Sequence, residues 1–91
     1  MTTIQTKLNW EPKALAKYTL MIEKIPTFHR QIAKTVVDKK ADINAAERGS
    51  DQVEEADIIR AFLSEVPMAF YSLMVRLFQE VGFNYREYET H

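Results

Sequence analysis

His29 and Arg30 stand side by side in the stretch KIPTFHR, residues 24–30. An imidazole next to a guanidinium has the makings of an acid/base pair or a phosphate clamp. Downstream, Asp51, Glu54, Glu55 and Asp57 crowd into one short segment, with enough carboxylate oxygen to hold a hard cation. Each group also has a plainer reading. His29 and Arg30 follow Pro26 and Thr27, where one helix should stop and another begin. The only other histidine is at position 91, so the two make a poor metal pair. The acidic segment lacks EF-hand spacing, and carboxylates in a first turn are what a helix dipole attracts. Two glycines leave no phosphate-cradling loop. The absence of cysteine removes thiolate nucleophiles, disulfides and cysteine-ligated zinc or iron–sulfur centres. The expectation is a non-enzymatic chain with no catalytic, cofactor-binding or metal-binding set.

The elements that would position these residues are helical. Of 91 residues, 46% are apolar and 11% aromatic, which suits one globular domain, and two glycines with three prolines are too few for many strands. The segment MTTIQTKLNW has no basic stretch leading into an apolar run, and no apolar run is long enough to span a bilayer. A cytoplasmic location without membrane attachment is the default expectation. Residues 1–50 carry nine Lys/Arg against five Asp/Glu, or +4, whereas residues 51–91 carry three against eight, or −5. Such polarity suits pairing within or between molecules.

Residues 1–9 read as a flexible lead-in, 10–82 as a single helical domain and 83–91 as a tail. Pro12 fits a first helical position, and Leu15, Tyr18, Ile22 and Ile25 follow as one stripe. Pro26 ends that helix and Thr27 is a natural N-cap. Phe28, Ile32, Val36 and Ile43 then mark a long second helix to about Arg48, widened by Ala33 and Val37, with Phe28 its first core residue. Gly49 supplies the left-handed stop. A cation is disfavoured at a helix start, so Arg30 needs a partner, either a carboxylate, with those of helix 1 and the acidic half as candidates, or a backbone carbonyl. After the anchor Val53, a third helix spans 54–66, apolar at Ala56, Ile59, Phe62 and Val66. Pro67 opens a fourth, with Phe70, Leu73, Met74, Leu77, Phe78 and Val81 on one stripe. Gly82 ends it. The aromatics Phe83, Tyr85 and Tyr88 suit either base stacking, partner docking or folding back on the core. Met21, Met68 and Met74 read as core filler. The fold class is all-α, four helices around a long central one.

Four motifs, WEPKA (10–14), IPTFHR (25–30), AAERG (45–49) and VEEADI (53–58), together resemble the small helical domain at the C-terminus of the B subunit of light-independent (dark-operative) protochlorophyllide reductase. The residues carrying the resemblance are Trp10, Pro12, Ala14, Ile25, Pro26, Phe28, Arg30, Gly49 and Asp57. The pattern departs from that family at Lys13, where an acidic residue is expected, and at Glu54, where Ser or Thr is. The Trp10–Ile25 spacing is about one helical turn longer, and 67–91 lie beyond the pattern. The outline, with Asp57, Ile58 and Ala61 opening the third helix, also looks like a histone fold.

The resemblance implies a small accessory or interaction domain, linked to tetrapyrrole reductase complexes, whose chemistry belongs to other subunits. The alternative is a histone-like DNA-binding dimer using Lys13, Lys17, Lys34, Lys39 and Lys40. An acidic chain offers little of the concentrated cationic face that nucleic acid requires. A homodimer is expected, with helix 2 or helix 4 at its interface and the tail nearby, and it would be open to a larger complex.

Overall fold

The computed structural model describes residues 8–88. What was expected of residues 1–7 and of 89–91, His91 included, lies outside the described residues. The chain enters through β1 (Asn9–Trp10), which pairs in parallel with β2 (Gln52–Val53), Asn9 opposite Gln52 and Trp10 opposite Val53. Asn9 therefore belongs to the fold and not to a flexible lead-in. Two residues per strand are too few to stand alone. The ladder is held because Val53 is fully buried and the Trp10 ring lies 5.0 Å from that of Tyr18.

The first helix, α1 (Pro12–Lys24), starts on Pro12 as expected, and the Glu11 carboxylate accepts the Ala14 amide at 2.7 Å. The second, α2 (Thr27–Glu47), has Pro26 at its N-cap position. Thr27 is thus its first helical residue and makes no capping bond. Gly49 adopts φ 77°, with its amide donating to Ala46 and that of Ser50 to Ala45, the paired bonds of a Schellman stop.

The third helix, α3 (Glu55–Glu65), leads through Pro67 and a 3-10 turn at Met68–Phe70 into α4 (Tyr71–Val81). The α4 stripe is core at Met74, Leu77, Phe78 and Val81, while Phe70 sits at its rim. After Gly82, at φ 87°, the Phe83 amide donates to Phe78 and the two rings lie 6.1 Å apart. This Schellman-type contact turns the chain back, and Tyr85 stacks on Phe78 at 5.6 Å. Phe83 and Tyr85 are therefore core, and the folded domain extends beyond residue 82. Phe62 of α3 joins the layers, its ring 5.8 Å from both Tyr18 in α1 and Phe78 in α4.

The face of α2 is the main correction. Phe28, expected as its first core residue, is 87% exposed, and Ile32 is 67% exposed. The buried face is Val37, Ala41 and Ala45, each fully buried, and α3 is the helix with which α2 makes its most extensive contact. At about 100° per residue the two stripes lie on roughly opposite sides of the helix. Alanines win the inward side because they let α2 approach α3 closely, where Ile58, Ile59 and Phe62 already supply the bulk. Met68, read as core filler, is 81% exposed, whereas Met21 and Met74 are buried.

Candidate functional site

The opening pair, His29 and Arg30, divides between two tasks. Arg30 reaches back to the end of α1, Nε donating to the carbonyls of Ile22 and Ile25, both at 3.2 Å, and Nη2 to those of Glu23 and Ile25, both at 3.0 Å. Of the two kinds of acceptor expected, a carboxylate or a backbone carbonyl, its partners are carbonyls. A cation ill placed at the start of α2 is well placed at the negative end of α1. With its guanidinium so committed, Arg30 is no phosphate clamp.

His29 stays on the surface, its ring 5.0 Å from Phe28 and 5.9 Å from Phe70. His29 and Phe70 of this row line a groove of about 210 Å³. One wall is α2, through His29, Ile32, Ala33 and Val36; the other is the end of α3 and the entry to α4, through Glu65, Val66, Phe70 and Leu73. A cavity of about 150 Å³ accepts a benzene ring, so the groove has room for a large apolar side chain. Apart from His29 and Glu65 its lining is apolar.

The motif residues do not converge on one site. Trp10, Pro12 and Ala14 sit at the start of α1, where Ala14 is buried and Trp10 packs half-buried at the edge of the core. Ile25, Pro26, Phe28 and Arg30 gather at the α1–α2 corner, and Gly49 and Asp57 at the α2–α3 turn. At that turn Asp57, fully buried, takes two bonds from Arg48 and a third from the Glu54 amide at 2.8 Å. Arg48 falls within AAERG but is not among the residues carrying the resemblance, yet it holds the turn together. The same guanidinium reaches Glu54 at 3.0 Å, and Gln52 reaches its other oxygen. The bonds from Gln52 and Arg48 hold the Glu54 carboxyl below its ordinary range. Glu55 accepts from the Asn84 amide and faces Lys17. Three of the four clustered carboxylates are thus spent on turn, tail and helix, and no group of three metal-ligating side chains occurs among the described residues.

Lys17 also donates to the Gly82 carbonyl at 3.0 Å, and Lys34 pairs with Asp38 at 2.7 Å. Two of the five lysines offered for DNA are therefore engaged within the chain. A second, polar hollow of about 480 Å³ lies among Lys40, Asn44, Arg60, Ser64 and Glu87, with the Arg60 guanidinium 5.7 Å from the Tyr88 ring. Among the described residues no single helix is long and apolar enough to cross a membrane. Comparison with protein-family models, with curated proteins and with solved structures finds no match.

Proposed function

We propose that the chain is a docking module without chemistry of its own, binding a helical protein segment in the groove between α2 and the α3–α4 corner. The observation that carries this reading is the second apolar stripe of α2. The other side of that helix already fills the core and Val36 is partly buried against it, so Phe28 and Ile32 add little to folding, yet Ile32 lines one apolar depression with Val36 and Phe70, and Phe28 stands next to His29 on its wall. Apolar surface gathered this way marks an interaction site more often than scattered exposure does. A groove walled by a helix is suited to the apolar face of another. The motifs resembling the reductase module point the same way, to an accessory domain of a larger assembly in tetrapyrrole metabolism; that assignment rests on the motifs alone.

A photo-crosslinking side chain placed at Ile32, with a control at exposed Lys13, tests the reading in cells that make the protein. Protein adducts at position 32 and none at 13 are expected. Failure to form protein adducts at 32 above the control removes the proposal.

A further inference from the structure

We infer that the segment the groove accepts is α2 of a second copy of this chain, so that two copies cross antiparallel about a two-fold axis near Ile32 and Val36. This rests on the docking reading and adds the identity of the partner. The surface carries both halves of the contact. Phe28, outside the groove lining, is 87% exposed, and Ile32, on the α2 wall, is 67% exposed, so α2 offers apolar bulk as well as the wall. A two-fold interface requires this self-complementarity, since each residue meets on its mate what the mate meets on it.

Charge favours this occupant over an unrelated apolar helix. Glu65 is the last residue of α3, where the dipole disfavours a carboxylate, and it lines the groove. Among the described residues it has no cation partner. The occupant should therefore bring a cation on its apolar face. The outer stripe of α2 does so. Lys39 falls between Val36 and Ile43 on the same arc and has no ion partner among the described residues. With the axis midway between Ile32 and Val36, His29 and Lys39 are each five residues from it, about 7.5 Å at 1.5 Å per residue. Antiparallel crossing thus sets Lys39 of one copy level with His29 of the other, which lines the groove together with Glu65, and the symmetry uses that pairing twice. Ile43, 38% exposed, falls by the same spacing at the Ile25–Phe28 end of the mate.

Sedimentation equilibrium over a tenfold concentration range reads the result. The mass should rise from 10.6 kDa towards twice that value. Ile32→Asp, at an exposed position, should keep its helical circular dichroism and remain at 10.6 kDa. Glu65→Lys and Lys39→Glu should each weaken association by about 25-fold, about fivefold for each of the two symmetry-related pairs, the upper range for rim ion pairs, and the double reversal should recover the parental constant. A mass constant at 10.6 kDa overturns the inference, as does an Ile32→Asp chain that associates like the parent or a double reversal no stronger than the singles. The crosslinker at position 32 separates the two proposals. Adducts only to a different protein remove the second copy and leave the docking module standing; no protein adduct removes both.

Discussion

The guanidinium of Arg48 holds both carboxylate oxygens of Asp57, Nε to Oδ1 and Nη2 to Oδ2, each at 2.8 Å, across the turn from α2 to α3. Asp57 is fully buried while the Arg48 side chain is 37% exposed, so the arginine is what makes a buried charge tolerable. Removing one partner of a buried pair costs about 3–5 kcal/mol, and partial exposure of Arg48 puts this pair near the lower end. Arg48→Ala should therefore lose about 3 kcal/mol in urea unfolding. Arg48→Lys should lose less but not nothing, because an ammonium cannot make the two-pronged contact. An unchanged midpoint for Arg48→Ala would show that the pair is ornamental.

How much of this was legible in the residues differs from helix to helix. The α4 stripe was readable because its large apolar residues share a single face, and four of the six are buried. In α2 two faces compete. The outer one, Phe28, Ile32 and Val36, is the more hydrophobic, so periodicity weighted by hydrophobicity selects it. The inner one was visible only as small residues at strict i+4 spacing, Ala33, Val37, Ala41 and Ala45, a pattern that speaks of close approach rather than bulk. The return of the tail had a signal that polar surroundings obscured: Phe78 and Phe83 flank Gly82 at the spacing of a Schellman contact. The Arg48–Asp57 clamp had no comparable signal, since nine residues across a turn match neither helical nor strand periodicity.

Arg30 joins two helices at one corner, and its loss should be felt in α1. Its guanidinium supplies donors to the Glu23 and Ile25 carbonyls beyond the last helical bonds of α1, and shares the Ile22 carbonyl with the Ile25 amide. Hydrogen bonds to a charged group contribute about 1.5–3 kcal/mol net. Arg30→Ala should cost about 2 kcal/mol, and amide exchange in the last turn of α1 should accelerate more than in α3. Uniform acceleration in both helices would contradict a local role.

The stability of the protein should fall in alkali through Tyr18. Its ring is 3% exposed and its hydroxyl donates to the Asp38 carboxylate. Burial first, then the bond and the negative charge of Asp38, raise this phenol far above its ordinary value. The folded chain keeps a proton that the unfolded chain releases near pH ~10. Because the folded value is the higher one, the contribution is complete below about pH 10 and declines above it, by at most ~1.4 kcal/mol per pH unit. Between pH ~9.5 and ~11, parental stability should fall more steeply than that of Tyr18→Phe. Parallel curves would mean the hydroxyl is not what titrates.

The two faces of α2 predict opposite responses to substitution along one helix. Ala41 is fully buried on the inner face of α2, so the added bulk of Ala41→Leu should force the packed elements apart at a cost of about 1–3 kcal/mol. Ile32→Ser, at a position 67% exposed, should change the stability of the single chain by no more than about 0.5 kcal/mol. Both are read by chemical denaturation at a dilution that keeps the chain monomeric, so that association does not add to the apparent stability. The substitution that looks conservative is the one expected to destabilise, and the one that removes a large apolar side chain is expected to be neutral. A destabilised Ile32→Ser beside a neutral Ala41→Leu would reverse the two faces, return the outer stripe to the core and leave the groove without its α2 wall.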